Sequence, residues 1–507
     1  MAPRPALLAT ATAAVAVALI PLVYLGVRTA EAGWDRVRAE LLTTEMLRLA
    51  ATSLALTAVT TGACLILGAG AALLVTRTNL PARRFFGVLA ALPLAIPTYV
   101  GSYGWISMLD GFYGFWPAVV VLTSCCYPYV YLPTAAALIG TDPAVEEASQ
   151  ALGRNQWQTF TGVTLRQIRP ALVAGGLLVA LYVLSDFGAV AMLRVTTFTS
   201  AVFTSFNLGF DRTGALVLST ALVAVTLLIL GAELATRRHD ARYAKIGSGV
   251  RRPAAVLPLG AWRIPAVLAL LAVAAGSFAV PTAALLHWVG EGVSRPGSLT
   301  DIATAAGNSL TVSALGTALT MFLALPIGLL SARAPGPLAI LIDRLTYLTH
   351  ALPGLVIGLS LVFFGIQVAY PLYQTTWLLA LAYAALFLPL AVGAVATAAA
   401  QAPPSLEEAA RSLGRGPLTV LRTVTVPLTL PGIGAGAALV FLTCMKELPA
   451  TLLLRPTDTD TLATELWTHT SVAAYAGGAP YAALLVLLST GPALILARRT
   501  LNPKDRP

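Results

Sequence analysis

Two similar stretches of sequence, one in each half of the chain, decide its organisation. Residues 146–170 read EEASQALGRNQWQTFTGVTLRQIRP, and residues 407–431 read EEAARSLGRGPLTVLRTVTVPLTLP. They align without a gap, and each predicts a short polar helix, a glycine turn and an amphipathic run ending at a proline that opens an apolar helix. Gly153 and Gly414 are expected at the left-handed position that ends a helix. A polar helix-turn-helix that occurs twice is typical of a docking surface with twofold character.

The composition is that of an integral membrane protein. Of the 507 residues, 57% are hydrophobic and 11% are charged, whereas a soluble domain has roughly 25% charged residues. The four cysteines lie in apolar runs without CxxC spacing, which predicts hydrophobic packing and argues against a metal site or a disulfide framework. The net charge of +10 comes from basic residues in short loops. That distribution indicates membrane topology and not a nucleic-acid partner.

About twelve segments are long and apolar enough to cross a bilayer. The predicted spans lie near residues 6–27, 49–75, 86–108, 116–140, 170–193, 214–235, 263–289, 306–331, 345–369, 374–398, 430–454 and 478–497.

The distribution of Lys and Arg sets the orientation of these spans. With the amino terminus inside, the inner loops hold about 23 basic residues and the outer loops about 8, which satisfies the positive-inside rule. Both termini and both quoted stretches are therefore predicted to be cytoplasmic. The first apolar segment has an alternative interpretation as a cleaved signal peptide, because Arg4 precedes it and small residues follow. The segment at 263–289 takes the same place in the second half, which favours two retained helices.

The similarity between the halves extends beyond the two stretches. LSDFGAVAMLR at 184–194 parallels MKELPATLLLR at 445–455, and prolines and arginines recur at matching positions. Six helices per half in the same orientation predict a parallel repeat about an axis along the membrane normal. The predicted division is a first half at 1–236 with a loop at 142–169, a basic linker at 237–262, and a second half at 263–507 with a loop at 403–430. The linker is interpreted as a solvated connector, with lipid binding as the alternative.

The chain has no nucleotide-binding P-loop of its own. That motif needs lysine directly after glycine, and Lys245, Lys446 and Lys504 each follow another residue. Any energy that the protein uses must come from a partner or from an ion gradient. No HExxH motif occurs and the histidines are scattered, so the sequence does not indicate an enzyme.

Ionisable residues inside spans are costly and usually functional. Asp186 and Glu447 occupy equivalent positions in the fifth and eleventh predicted spans. One interpretation is a pair of carboxylates flanking the outer part of a pathway through the membrane, and the other is an ion pair or a cap with Arg194, Arg455 or Lys446 as partner. Prolines inside spans add to the first interpretation, because broken helices at membrane depth line protein or water-filled cavities. Simple packing kinks are the competing account. The prolines concerned are Pro93, Pro97, Pro128, Pro133, Pro353 and Pro389.

The repeated stretch resembles the EAA loop of ABC-importer permeases, whose pattern is E-A-A-x3-G-x9-I-x-L-P. The second copy fills that pattern, and the first departs from it at Ser149 and at Arg166, where proline is expected, which predicts a straighter second arm. The twelve-span repeat resembles a fused permease with the type I importer fold, and residues 445–464 are similar to ferric-iron permeases. The positions of the second copy that match are Glu408, Ala409, Ala410, Gly414, Val424, Val426 and Pro427.

This resemblance implies an all-α permease of a bacterial inner membrane that imports ferric iron by alternating access. It implies two copies of a cytoplasmic ABC ATPase, which hold the ATP and Mg, a periplasmic or lipid-anchored iron-binding protein, and no cofactor in this chain. Ferric ion prefers oxygen ligands, so transient contacts are expected and no stably bound metal. The expected ATPase-coupling residues are Glu147, Ala148, Gly153, Glu408, Ala409, Ala410 and Gly414, and the expected path residues are Asp186, Glu447, Tyr99 and Tyr103.

Three alternatives remain at this point. A secondary transporter would use Asp186 and Glu447 as its ion-coupling groups, and a membrane-embedded enzyme would need a catalytic cluster that the sequence does not indicate. Within the permease class, thiamine, phosphonate or polyamine is the alternative cargo.

Overall fold

The computed structural model describes residues 5–141, 143–207, 209, 211–240, 256–291, 299–334, 336–350, 352–402 and 404–501. Within those ranges the regular structure is helical, apart from an isolated bridge between Thr78 and Leu257. Most of the predicted linker at 237–262 lies outside the described residues, as do the first residues of the two predicted loops, Asp142 and Pro403.

In the residues that the structure describes, the first repeat contains fourteen α-helices. They are α1 (Pro5–Ala18), α2 (Ile20–Glu31), α3 (Trp34–Leu41), α4 (Thr44–Arg77), α5 (Arg83–Ala91), α6 (Thr98–Ile106), α7 (Phe115–Cys126), α8 (Pro128–Ile139), α9 (Pro143–Ala151), α10 (Gln156–Thr159), α11 (Leu165–Ser185), α12 (Gly188–Met192), α13 (Phe198–Asn207) and α14 (Arg212–Asp240).

The second repeat follows the same order. Its helices are α15 (Arg263–Ala274), α16 (Val280–Gly290), α17 (Leu299–Arg333), α18 (Pro337–His350), α19 (Gly354–Gln367), α20 (Thr376–Gln401), α21 (Pro404–Ser412), α22 (Pro417–Val420), α23 (Val426–Met445), α24 (Pro449–Leu454), α25 (Leu462–Ser471) and α26 (Tyr475–Leu501). Three π turns, at Phe160–Thr164, Ala275–Ala279 and Leu421–Thr425, and 3-10 turns at Leu92–Ala95, Gly260–Trp262 and Tyr370–Leu372 join some of them.

The predicted spans are present as helices. Among the described residues, 8 helices are long and apolar enough to cross a membrane, or up to 11 if each of 3 bent helix pairs is counted as one span. A shorter apolar helix at Tyr475–Thr490 occupies the last predicted position. Each of the twelve predicted segments therefore has a helical counterpart.

Proline breaks two matching spans sharply. Arg83–Ala95 meets Thr98–Ile106 at 92°, and Pro337–Thr349 meets Gly354–Gln367 at 97°. Pro97 and Pro353 stand immediately before the second helix of each pair, where the missing N–H costs nothing. Pro133 and Pro389 lie inside continuous helices instead. The prolines before α6 and α19 thus terminate one helix and open the next.

Packing divides the chain into two compact units that do not follow the sequence repeat. Unit 1 comprises residues 1–42, 202–223 and 297–467, and unit 2 comprises residues 43–201, 224–296 and 468–507. The opening helices of the first predicted half thus belong to the same unit as α17–α24. The halves at 1–236 and 263–507 remain a prediction about the sequence repeat.

Within unit 1, the first bent span packs on the helices that follow residue 297. Helix α1 contacts α17 and α18, and α2 contacts α19. The Tyr24 hydroxyl donates to Oε1 of Gln367 at 2.8 Å, and its ring meets Phe364 edge-on at 5.7 Å. These contacts hold α1 and α2 against the other helices of unit 1.

Within unit 2, α16 packs on neighbouring helices as α1 and α2 do in unit 1. It contacts α6 and α26, and at Gly104 an added Cβ would lie 2.6 Å from Cα of Pro281. Trp105 Nε1 donates to the Gly276 carbonyl at 3.2 Å. Only glycine at position 104 permits this close approach of two backbones.

Candidate functional site

The first predicted loop has the geometry of a capped helix-turn-helix. Gly153 lies two residues after the end of helix α9, and its φ is +83°. The Gly153 N–H donates to the Gln150 carbonyl at 2.9 Å, and the Arg154 N–H to the Ser149 carbonyl at 3.3 Å. These two bonds are the Schellman pattern, which satisfies carbonyls left open at a helix end.

The second loop repeats that geometry. Gly414 lies two residues after the end of helix α21, and its φ is +79°. The Gly414 N–H donates to the Arg411 carbonyl at 2.9 Å, and the Arg415 N–H to the Ala410 carbonyl at 3.1 Å. The prediction of two left-handed glycines at the helix ends is confirmed.

The expectation that Pro170 and Pro431 open new helices is wrong. Both lie inside a helix, α11 or α23, and that helical path starts earlier in each loop. In the first loop it starts at Asn155, whose side chain accepts the Gln158 N–H at 2.8 Å while the Gln158 side chain accepts the Asn155 N–H at 3.0 Å. This capping box satisfies two open donors, and the spacing Asn-x-x-Gln was its sequence signal.

The two loops also share an irregularity that the sequence did not reveal. Five-residue π turns occur at Phe160–Thr164 and at Leu421–Thr425, which are matching positions of the repeat. Because the turn is present in both copies, Arg166 in place of proline does not remove it. Single π turns inside helices are frequent at functional sites.

Most of the predicted coupling residues are exposed to solvent. Glu147, Ala148, Glu408 and Ala409 are exposed, and Ala410 is half-buried.

Large apolar side chains accompany them in each loop. Leu152 is 83% exposed, Leu413 is 82% exposed and Trp157 is 70% exposed. Exposed apolar side chains clustered in a polar loop mark an interaction surface. Each unit therefore has its own loop surface, formed in unit 2 by Leu152, Trp157 and the exposed residues of α9, and in unit 1 by Leu413 and the exposed residues of α21.

The glutamate that precedes each predicted coupling glutamate is turned away from solvent, towards the helical segment that follows the glycine turn. Glu146 and Glu407 are half-buried and accept hydrogen bonds from Thr164 and Thr425 at 2.8 and 2.9 Å. Sequence reasoning overlooked both, although the doubled glutamate in each copy was the available signal.

Asp186 caps a short helix inside unit 2. It follows the last residue of α11, and its Oδ1 accepts the N–H groups of Ala189 and Val190 at 3.0 and 3.3 Å. Its Oδ2 accepts the Thr98 hydroxyl at 2.5 Å. Thr98 is the first residue of α6, directly after the break at Pro97, so one carboxylate joins α6, α11 and α12.

Glu447 does the same inside unit 1. Its carboxylate accepts the N–H groups of Ala450 and Thr451, both at 3.1 Å, and the Thr451 hydroxyl at 3.0 Å. Its Oε1 lies against Gly354, the first residue of α19, where an added Cβ would be only 2.6 Å away.

The two sites differ both in the length of the acidic side chain and in the residue that it meets at the start of the broken helix. The first repeat pairs the shorter Asp186 with Thr98, and the second pairs the longer Glu447 with Gly354, so each carboxylate reaches the start of the broken helix. Of the two interpretations, capping is the one that these contacts support. The Arg194 guanidinium stacks over the Tyr113 ring at 4.3 Å, and Arg455 pairs with Asp460.

The predicted path tyrosines are buried within unit 2. Tyr103 is 0% exposed and its hydroxyl donates to the Tyr475 carbonyl at 2.8 Å. Tyr99 is 4% exposed. In the part of the chain that the structure describes, no group of three or more His, Cys, Asp or Glu side chains is arranged to hold a metal ion.

A charged cleft of about 610 Å³ opens at the start of α4 in unit 2. Its lining includes Glu45, Arg48 and Arg194. By the predicted topology this end of α4 faces away from the loop surface.

Comparison with known proteins explains the duplication. The family described as "Binding-protein-dependent transport system inner membrane component" matches residues 64–245 and again residues 324–502. The chain belongs to this family. Each match contains one of the two loops, so this binding-protein-dependent permease carries two copies of the family's domain and is a multi-pass inner membrane protein.

Individual relatives of the permease differ in how much of it they cover. It is 38% identical over 482 residues to the Fe(3+)-transport system permease protein FbpB 2 of Haemophilus influenzae, covering 94% of this chain and 95% of that protein. It is 30% identical over 177 residues to the sulfate transport system permease protein CysT of Escherichia coli, covering 31% of this chain and 64% of the relative. The sulfate permease protein CysW of the same organism is 28% identical over 192 residues, covering 34% of this chain and 65% of the relative.

Proposed function

We propose that this chain is the membrane permease of an ATP-driven importer that moves ferric iron into the cytoplasm. The observation that carries the proposal is the duplicated loop surface, which presents exposed Leu152, Trp157 and Leu413 beside left-handed glycines. A permease without a P-loop needs a site at which a separate ATPase transmits its motion, and these loops provide one.

The extent of the relatives favours iron over the other cargoes. The ferric-iron permease aligns over 94% of this chain, whereas the two sulfate permeases align over 31% and 34%. The fused arrangement of two repeats is therefore shared with the iron relative along nearly the whole length.

The partners follow from this assignment. Two copies of a cytoplasmic ABC ATPase bind the two loops, hold ATP and Mg and carry out hydrolysis, and both termini of the permease lie on that side. A binding protein delivers iron to the opposite face, where the cleft with Glu45, Arg48 and Arg194 opens. ATP-driven closure of the ATPase dimer favours one state of the permease over the other by a few kcal/mol, which is the requirement for alternating access.

Asp186 and Glu447 take a positioning role in this scheme. Iron(III) prefers oxygen ligands, but each carboxylate accepts three or more hydrogen bonds from helix starts and hydroxyls. We propose that they border the path by fixing the broken helices α6 and α19, near Tyr99 and Tyr103 in the first repeat, and do not bind iron firmly.

Reconstitution tests the function as a whole. The permease, its ATPase and the iron-loaded binding protein in liposomes should take up ferric iron only when ATP is present inside. Uptake that continues without the ATPase and stops when the ion gradient is collapsed would establish a secondary transporter instead. Uptake of sulfate or thiamine in place of iron would change the cargo and leave the class intact.

The assembly gives a first prediction. Because each chain carries two loops, a complex purified in mild detergent should contain two ATPase protomers per permease chain. Native mass spectrometry measures that ratio directly. A ratio of one, or an absence of ATPase under conditions that keep the permease folded, contradicts the proposed role of the loops.

The loop surface gives a second prediction. Leu152→Asp places a charge where an apolar side chain is buried on docking, so ATPase binding should weaken by tenfold or more, since interface anchors contribute roughly 2 kcal/mol or more. Val472→Asp is the control, because Val472 is 73% exposed but lies between α25 and α26. Equal affinities of the two variants for the ATPase would remove Leu152 from the interface.

A further inference from the structure

In each repeat a glutamate on the inner side of the loop joins three helical elements at the same end of the membrane spans. Arg77 is the last residue of α4, and its Nη2 lies 2.5 Å from Oε1 of Glu146 on α9. Its Nη1 donates to Oε2 of the same carboxylate at 3.2 Å. The Thr164 hydroxyl, at the end of the π turn before α11, donates to Oε1 at 2.8 Å.

The second repeat contains the corresponding three residues. Arg333 is the last residue of α17, and its Nη2 lies 2.9 Å from Oε1 of Glu407 on α21. The Thr425 hydroxyl, at the end of the second π turn, donates to the same oxygen at 2.9 Å. Glutamate and threonine are 18 residues apart in both copies. We call these two Arg–Glu–Thr sets the first and the second clamp.

The first clamp is the tighter of the two. Arg77 holds both oxygens of Glu146 and also donates to the Thr141 hydroxyl at 2.7 Å, and its side chain is 6% exposed. Glu407 in the second clamp is shared with Arg411, whose side chain is 38% exposed. Arg333 Nη2 approaches Glu407 without hydrogen-bond geometry.

Stability alone is a poor explanation of either clamp. A buried ion pair has to offset the desolvation of both charges and is often no better than an apolar pair of the same volume. In addition, Nε of Arg77 and Nη2 of Arg333 are buried without a hydrogen-bond partner in the part of the chain that the structure describes. Incompletely satisfied buried groups call for another explanation, and their position between a loop and two spans provides it.

We propose that the two clamps transmit movement of the loop surface to the membrane spans. When a partner displaces α9 or α21, the carboxylate on that helix pulls an arginine at the end of one long span and a threonine at the base of another. Glu147 and Glu408 face the partner, and Glu146 and Glu407 face the spans, so successive glutamates serve docking and transmission. The proposal rests on the proposed function, because it assigns how ATPase motion enters the permease.

The test uses the full complex with Glu146→Gln and Glu407→Gln combined, which keeps shape and removes charge. The ATPase should still bind with its wild-type affinity, since the loop surface is unchanged. Iron uptake per ATP hydrolysed should fall at least about fivefold, the lower range of coupling between distant sites. Glu146→Gln alone should lower the ratio more than Glu407→Gln alone, because the first clamp is tighter.

The matched control is Glu31→Gln, which removes a carboxylate that pairs with Arg28 at the opposite end of a span. It should leave the ratio of uptake to hydrolysis unchanged. A charge-reversed pair, Arg77→Glu with Glu146→Arg, should recover part of the ratio that either single change loses.

The outcomes separate the clamp from the proposed function. If the clamp variants lose thermal stability but the surviving complex keeps its wild-type ratio, the clamps serve folding only and the inference is wrong. If the wild-type chain neither binds an ATPase nor couples uptake to hydrolysis, the proposed function fails before the clamps are tested.

Discussion

Gly414→Val should abolish the stimulation of ATP hydrolysis by the binding protein while the permease still reaches the membrane. Gly414 has a φ of +79°, which costs a branched residue about 1–2 kcal/mol or more. Nothing lies within 4 Å of an added Cβ at this position, so the penalty is conformational and not steric crowding. Relief of that strain breaks the Schellman bonds and turns α21 away from the direction in which it presents Glu408 and Leu413.

Stimulated ATPase activity in liposomes and the amount of membrane-inserted permease are the two measurements. Gly434→Val is the matched control, because Gly434 lies inside α23 at a negative φ with equally open space. Gly153→Val should repeat the defect in the other loop, since its φ is +83°. Wild-type stimulation in both loop variants would show that the glycine turns do not set the coupling geometry.

The glycine turns were predictable because the causes are local. Each follows a polar helix and precedes a basic residue, and the left-handed region is one that glycine enters without strain. The long apolar helices were predictable for a similar reason, since apolar length alone identifies them. The capping box at Asn155 was also predictable from its spacing. From the sequence, Pro170 was instead expected to open the helix, although Pro170 lies inside α11.

The remaining features depend on contacts between distant parts of the chain. No local pattern connects Thr98 to Asp186, or Gly354 to Glu447, because the partner becomes visible only once the broken helix reaches the carboxylate. The grouping of residues 1–42 with residues 297–467 is likewise a property of packing. The different roles of the inner glutamates, Glu146 and Glu407, and of the exposed glutamates that follow them became visible only from the contacts with the arginines at the ends of the spans.

Gly354→Thr should destabilise the permease by about 1–3 kcal/mol, the usual cost of overpacking. Its Cβ would lie 2.6 Å from Oε1 of Glu447, so the carboxylate has to leave the N–H groups of Ala450 and Thr451. Glu447→Asp should cost a similar amount for a different reason. The shortened side chain no longer spans the distance to α19, and buried groups that lose hydrogen bonds cost about 1–3 kcal/mol each. Both single variants should show a lower unfolding temperature in detergent and reduced iron uptake.

The double variant Gly354→Thr with Glu447→Asp should be more stable than either single variant, because it reproduces the Thr98–Asp186 pair of the first repeat. In that pair the threonine hydroxyl donates to the shorter carboxylate at 2.5 Å. This hydrogen bond compensates for the shorter side chain of aspartate. A double-mutant cycle on the unfolding temperatures should therefore give a favourable interaction of about 0.5–3 kcal/mol, the range for residues in contact. Gly393→Thr is the control, because it adds the same atoms inside α20 where nothing lies within 4 Å. If the two decreases in stability simply add in the double variant, the two carboxylates do not hold the broken helices in equivalent ways. Recovery of stability without recovery of uptake would instead show that the extra length of Glu447 has a role in transport beyond holding α19.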